Sequence, residues 1–339
     1  MQNNKIIFLP LILSLAACQP ANQQIADKDK QSSAPSTALA EANLGSLASC
    51  KQYSGLPPQW MKSDTAGMIH VQGGAFEMGN NNGYPEEKSL INSQRQVDDF
   101  YMDVTEVTNA QFEQFVQATS YVTEAEKNNE AAVFVQPTQL SKDLAWWTLE
   151  KGISWRYPWG KGAERKILAN EPVRYITLKD ALAYATWLDR DLPTEEQWEY
   201  AAKGFAQERD VVANHKGNHI NANVWQGEFP YRNAVEDGFL DVAPVGCFAA
   251  NPFGLYDSIG NVWEYTSGPF QGSHDDHHGN HQQLAQQKEK NANFYTIKGG
   301  SYLCADNYCA RYRATARQAQ EADLAMSHVG FRTVKNIKP

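Results

Sequence analysis

Lys298-Gly299-Gly300-Ser301-Tyr302-Leu303-Cys304-Ala305-Asp306-Asn307-Tyr308-Cys309 decides how the rest of the chain is read. Two cysteines stand five positions apart behind a Gly-Gly turn, with tyrosines on their flanks. Thiolates are soft ligands that select Cu(I), zinc or iron–sulfur clusters, and a pair this close can also act as a redox couple. Cys-x4-Cys alone suits a structural disulfide or two unrelated buried residues equally well. Its meaning depends on what surrounds it.

The 339 residues carry a formal charge of -9, with 42% hydrophobic and 20% charged positions. That is a globular composition, long enough for one large domain or two ordinary ones. The acidic balance argues against nucleic acid or an anionic membrane surface as the main partner. Nine tryptophans and 15 tyrosines suit a loop-dense core or a peptide-binding groove.

Lys5 and the apolar run from Ile6 to Ala17 read as a secretory signal, too short to span a bilayer as a helix. Its end, Leu15-Ala16-Ala17-Cys18, resembles the bacterial lipobox. That resemblance implies cleavage after residue 17, lipid on the sulfur of Cys18 and, with Gln19 next, an outer-membrane or periplasmic-face address. Residues 18–58 are rich in Gln, Ala, Ser and Asn and read as a flexible tether closed by Leu56-Pro57-Pro58. The folded domain is expected over 59–339. Cys50, Cys247, Cys304 and Cys309 remain, and outside the cytoplasm four thiols allow three disulfide connectivities among which the sequence does not choose.

Within the domain, Met68-Ile69-His70-Val71 predicts a strand, Gly73-Gly74 a turn, and Phe76-Glu77-Met78-Gly79 the returning strand. Val97 to Val104 is another extended candidate. A helix capped by Thr108 or Asn109 carries Phe112, Phe115 and Val116 at helical spacing. A second starts at Thr177, whose spacing to Asp180 is that of a capping box, with Leu178, Ala181, Leu182, Ala185 and Leu188 on one face. A third starts at Thr194 with Gln197 as its box partner and ends at Gly204. Beyond Gly204 few segments are periodic and no repeat is visible, so a parallel doubly wound sheet is excluded in favour of one α+β domain with much irregular structure. His274 to His281 could bind metal but reads better as a solvated loop. His215 and His219 read as loop surface, because Gly217 between them weakens any helix.

Several longer stretches then match one family in order. Phe76 to Gly79, Asp99 to Asp103, Glu106-Val107-Thr108-Asn109, Tyr121 to Lys127, Leu192 to Ala201, Ala222 to Pro230 and Glu236 to Phe239 precede Gly254 to Glu264. The Lys298 to Cys309 stretch and Gly330-Phe331-Arg332 complete the set. From about residue 66 to 334 the chain resembles the formylglycine-generating enzyme (sulfatase-modifying factor) family, as a bacterial lipoprotein member with a single C-type-lectin-like domain. Many members of the wider family lack the cysteines that stand here in the matching frame.

The resemblance implies oxidation of a cysteine in Cys-x-Pro-x-Arg segments of sulfatases to Cα-formylglycine, with O2 and Cu(I). Cys304 and Cys309 would be the copper ligands, Ser301 and Trp263 would shape the oxygen pocket, and Tyr308 would sit against it. It also implies two calcium sites. Asn223, Asp237 and the carbonyls of Val224 and Phe239 would form one; Asp257, Glu264 and the carbonyls of Gly260 and Val262 would form the other. Calcium takes oxygen ligands of these kinds from loops. The expected partners are an exported sulfatase and O2, with the membrane reached only through the anchor and the protein a monomer. Departures from the family are Ala305 in place of a histidine, Asp191 and Tyr265 in place of common Arg and Trp, and Ala201 and Ala314 where vertebrate members carry cysteines. The rival reading is a non-catalytic peptide- or envelope-binding module whose Cys304–Cys309 pair is a structural disulfide. A histidine-bound iron oxidase is weaker, for want of three well-spaced histidines.

Overall fold

A computed structural model describes residues 44–88, 94–138, 146–204, 212, 220–271 and 293–337. In chain order these form α1 (Leu47–Cys50), β1 (Met68–Val71), β2 (Gly74–Glu77), α2 (Pro85–Lys88), β3 (Gln94–Val97), β4 (Phe100–Asp103), α3 (Asn109–Thr119), α4 (Glu124–Asn128), β5 (Glu130–Phe134) and β6 (Trp147–Lys151). Then come α5 (Leu178–Trp187), α6 (Glu195–Lys203), β7 (Gly227–Glu228), β8 (Arg232–Asn233), β9 (Trp263–Pro269), β10 (Phe294–Lys298), β11 (Arg317–Glu321), β12 (Val329–Gly330) and β13 (Val334–Asn336). Short strands and helices joined by long irregular stretches give the expected α+β class. Among the described residues no helix is long and apolar enough to cross a membrane. The signal, Cys18, His215, His219 and the His274–His281 segment lie outside the described residues.

Helices α3 to α6 each begin on a threonine that accepts the backbone N–H three residues on. Gln111, Glu126, Asp180 and Gln197 reach back to the N–H of Thr108, Thr123, Thr177 and Thr194. Each pair satisfies two of the four N–H groups that a helix start leaves open. Phe112 and Phe115 of α3 pack on Tyr184 of α5, with centroids 5.9 and 5.7 Å apart. Leu182, which spacing had placed on the inward face, is exposed, and Tyr184 is buried there with Leu178, Ala181 and Ala185.

Two sheets frame the core, in the orders β1-β4-β13 and β11-β10-β9-β12, and only β12–β9 pairs in parallel. The hairpin expected across Gly73-Gly74 does not form. β1 pairs with β4 and β2 with β3, so the Val97–Val104 candidate is two strands bent at Asp98 and Asp99. Gly73 makes this crossing possible, since a Cβ there would stand 2.2 Å from the Val97 carbonyl oxygen. Its N–H donates to Asp99 Oδ1 at 2.9 Å.

The folded domain reaches back before residue 59. Cys50, fully buried at the end of α1, is disulfide-bonded to Cys247 across 197 residues, and Cys304 and Cys309 remain free thiols. Asn170 Nδ2 donates to the Cys50 carbonyl at 2.7 Å, and Gly45 N–H donates to the Gly246 carbonyl at 2.7 Å. Residues 44–58, read from composition as tether, are therefore fastened to the domain. Replacing both bridge cysteines by alanine should lower the unfolding free energy by about 2–5 kcal/mol. Thermal melts with and without reductant check this. Reductant should bring the wild-type Tm down to that of the double variant, and a wild-type Tm indifferent to reductant after full reduction would count against the bridge.

Candidate active site

The reactive loop leaves β10 at Lys298, whose ammonium is buried against Glu199 Oε2 at 2.8 Å. Gly299 and Gly300 follow with φ of 93° and 82°, a region L side chains avoid. A Cβ on Gly300 would lie 2.4 Å from the Arg311 carbonyl oxygen, so the two limbs of the loop close on each other only over glycine. Cys304 N–H donates to the Ser301 carbonyl at 2.9 Å and Ala305 N–H to the Cys309 carbonyl at 3.1 Å. These bonds fold the five-residue spacing back on itself and hold the two sulfurs 4.0 Å apart.

Both thiols are buried, and each sulfur has a donor of its own. Ser301 N–H points at Cys304 Sγ at 3.3 Å, and Arg311 Nη1 at Cys309 Sγ at 3.6 Å. The Cys304 hydrogen bond, helped by Arg311, pulls the Cys309 thiol down to about 6 against the effect of burial. Burial, and then the neighbouring Cys309, push Cys304 well above the usual thiol range. The pair thus holds one proton between two sulfurs. A separation of 4.0 Å is within twice a metal–thiolate bond of about 2.3 Å, so one soft ion can touch both.

The other predicted site residues are near by, in different settings. Trp263 is buried in the apolar cluster that also contains Cys304, Cys309 and Tyr312. Ser301 is fully buried, and its hydroxyl accepts the Leu303 N–H at 3.3 Å. Tyr308 is half-buried, stacked on Phe229 at 4.8 Å and edge-on to Trp146 at 5.2 Å. Phe134 and Trp225 extend this aromatic wall. Sequence reading missed Arg311, Phe229 and Trp146. Arg311 was visible only as a cation two places after Cys309, and nothing local marked it out.

The calcium residues also come together, but not as the sequence drew them. Phe239 N–H donates to Asp237 Oδ1 at 2.9 Å, and Val224 N–H to Asp237 Oδ2 at 3.2 Å. The Gln226 amide bridges the Val224 carbonyl and Asp237 Oδ2. Asn223 donates to the Asp241 carbonyl and to Asn261 Oδ1, both at 3.0 Å. In the second group Glu264 takes Arg332 on both oxygens, at 2.6 and 2.7 Å, with Trp198 Nε1 at 2.8 Å. Asp257 is raised to about 6, chiefly by burial, and accepts the Gly246 N–H. Beside them Glu106 is fully buried, and neither of its oxygens has a hydrogen-bond partner. Burial first, then Asp257 and Glu264, drive its carboxyl well above the ordinary range. Among the described residues no three His, Cys, Asp or Glu side chains converge on one point. A cation here would draw on carbonyls as well, as the Gly260 and Val262 expectation requires. The unpartnered Glu106 beside Asp257 is the observation that fits one.

This second group is joined to the cysteine loop. Gly260 N–H donates to the Gly299 carbonyl at 3.0 Å, and Tyr302 N–H to the Asn261 carbonyl at 2.9 Å.

A family model described as the sulfatase-modifying factor enzyme 1-like domain matches residues 53–337. The chain belongs to that family. It is 36% identical over 87% of its length to the formylglycine-generating enzyme of Bos taurus, covering 83% of that protein. It is 38% identical to the one of Mycobacterium tuberculosis, over 79% of this chain and 97% of that one. A Bos taurus relative named inactive C-alpha-formylglycine-generating enzyme 2 is 32% identical over 82% of the chain and 91% of that protein. The structure of PvdO from Pseudomonas aeruginosa shares the fold, with a TM-score of 0.56 at 17% identity over 81% of this chain and 96% of that one.

Glu106 yields a prediction without any metal. Its folded-state carboxyl is raised, so the charged form destabilises the native state above that value and the penalty vanishes as pH falls. In chelator-treated protein, Glu106→Gln should raise the Tm at pH 8. The gain should shrink as pH falls through the raised value, drop further as Asp257 protonates near 6, and vanish only below the ordinary glutamate value of 4.5. A variant less stable than wild type at pH 8 would count against an uncompensated carboxylate.

Proposed function

We propose that this protein is a copper-dependent formylglycine-generating oxidase that converts a cysteine in Cys-x-Pro-x-Arg segments of sulfatases to Cα-formylglycine, using O2. The observation that carries the reading is the pair of free, buried thiols at 4.0 Å, each with its own donor, in the loop of a chain belonging to this family. Cu(I) bound by Cys304 and Cys309 would supply a thiophilic, one-electron centre for the substrate sulfur and O2. The chain's own residues would do the rest. Cys309, held low by Cys304 and Arg311, would offer a thiolate, and Cys304, held high by burial, would give up its proton to serve as the second ligand. Tyr308, Phe229 and Trp146 give one apolar wall against which a peptide could lie. Ser301 and Trp263 line the buried side of the loop and exclude water from the sulfurs.

The rival binding module needs a Cys304–Cys309 disulfide, and the geometry that supports it least is the 4.0 Å gap in a chain whose disulfide lies elsewhere. Calcium at the Glu106–Asp257 carboxylates and at the Asp237 loop belongs to the same proposal, supported by the buried Glu106 oxygens that no hydrogen bond satisfies. Such an ion would brace the Gly260–Asn261 segment, which holds Gly299 and Tyr302. The lipobox-like Leu15–Cys18 and the Cys50–Cys247 bridge support an exported, lipid-anchored protein, because disulfides persist in oxidising compartments.

The reduced soluble domain should bind one Cu(I) per chain and lose it on Cys304→Ser. Incubated aerobically with a Cys-x-Pro-x-Arg peptide, the loaded protein should yield the aldehyde by mass, and Cys309→Ser protein should not. Bound copper without aldehyde would point to another substrate, and no copper binding would favour the module.

A further inference from the structure

Arg311 is buried, and three neighbours fix where its guanidinium lies. Nε and Nη2 both donate to Glu86 Oε1, at 3.0 and 2.6 Å. Its plane lies over the Tyr84 ring, with Cζ 3.8 Å from the centroid. Tyr84 Oη in turn accepts the Ala310 N–H at 3.2 Å, so the same ring grips the backbone between Cys309 and Arg311. The remaining nitrogen, Nη1, is left pointing at Cys309 Sγ at 3.6 Å. The segment holding it is itself pinned. Glu87 accepts both Arg313 Nε and Nη2, at 2.9 and 2.6 Å, and Thr315 Oγ1 at 2.9 Å, while Arg317 Nη1 donates to the Glu86 carbonyl at 3.2 Å. A structural arginine needs only its carboxylate partner. Here a planar donor set is divided, two nitrogens on Glu86 and one on a sulfur, in a way a lysine ammonium could not reproduce.

We propose that Arg311 is the positioning residue for the Cys309 sulfur, and that Tyr84 and Glu86 hold its guanidinium in place for that task. This rests on the reading of Cys304 and Cys309 as the metal-binding pair. Besides Cys309, Cys304 Sγ meets a backbone N–H where Cys309 Sγ meets a guanidinium, so the two sulfurs are inequivalent before any ion or substrate arrives. Cys309 is the sulfur whose direction is set by a side chain held from outside the loop. A charge-assisted donor to a ligand atom fixes its orientation and tunes its bond to the metal, and loss of such a partner weakens metal binding by about 10–100-fold.

The test uses three proteins, each reduced: wild type, Arg311→Lys, and the double variant Arg311→Met with Glu86→Gln. The double variant removes the donor without stranding a buried carboxylate. Cu(I) affinity is read by competition with a chromophoric chelator. Alkylation by iodoacetamide at pH 7 is read separately at each thiol in Cys304→Ser and Cys309→Ser backgrounds, with melting curves to confirm folding. The double variant should bind Cu(I) about 10–100-fold more weakly. Its Cys309 should react about tenfold more slowly, since the thiolate is the nucleophile, while Cys304 keeps its rate. Arg311→Lys should recover part of both. Equal slowing of both thiols, or unchanged Cys309 reactivity in folded protein, overturns the assignment. If wild type binds no Cu(I), the copper reading fails, and the sulfur-selective alkylation still decides the role of Arg311.

Discussion

The ion pair between Glu264 and Arg332 is the fixed point from which the site is built. Both side chains are buried, and the guanidinium forks onto the carboxylate at 2.6 and 2.7 Å. The fork fastens the start of β9 to the segment before β13. Trp198 Nε1 brings α6 to the same carboxylate, and the other guanidinium hydrogens reach the carbonyls of Tyr256 and Asp103. Taking two charges out of water costs several kcal/mol each, an expense offset here by hydrogen bonds on both carboxylate oxygens and all three guanidinium nitrogens. Removing one partner of such a pair costs about 3–5 kcal/mol, because a charge is then left uncompensated. This gives a physical reason for Trp-Glu and Phe-Arg at positions so far apart in sequence.

A second ionic layer carries that order to the reactive loop. Glu199 of α6 holds Lys203 at 2.9 Å and Lys298 at 2.8 Å, all three buried. Lys298 ends β10 immediately before Gly299, so the glycine turn starts from an immobile residue. The turn then packs under the 258–261 segment, where a Cβ on Gly299 would stand 2.9 Å from the Ser258 carbonyl oxygen. With α6 on one side and the Gly260–Asn261 backbone on the other, the loop has little freedom before Arg311 and Glu86 close the third side. Short strands and long loops can hold a site this tightly because buried ion pairs and backbone bonds replace the missing ladders.

What the sequence disclosed follows from which interactions are local. Threonine caps, the helix faces around Phe112 and Ala181, and the α+β class depend on residues three or four apart, and they were readable. The cysteine pair was readable too, not from its spacing alone but from the motifs that surround it. The strand pairing around Gly73 was not, since β2 chooses β3 over β1 through a close crossing that only the folded backbone reveals. The domain start was misplaced because the composition of 44–58 resembles a linker, and Cys50 finds Cys247 only across 197 residues. Glu264 was drawn as a calcium ligand from the family pattern, whereas its oxygens here meet Arg332 and Trp198. Glu106, inside a quoted motif, showed no sign in sequence that its carboxylate would be buried without a partner.

The two cysteine pairs show how one chain can hold thiols in opposite states. Cys50 and Cys247 join distant segments, and their bond removes much of the freedom of the unfolded chain, so folding and oxidation favour each other. Cys304 and Cys309 sit in one turn and would constrain almost nothing by bonding, since a five-residue loop is already closed by its own backbone hydrogen bonds. What their surroundings favour is the reduced pair, with Cys309 held low and Cys304 held high. A backbone N–H points at one and a guanidinium at the other, and both donors lose most of their acceptor once the sulfurs are joined in a neutral disulfide. The loop therefore stabilises the dithiol while the fold stabilises the distant bridge. That division lets a pair suited to soft-metal chemistry coexist with a structural disulfide in the same chain.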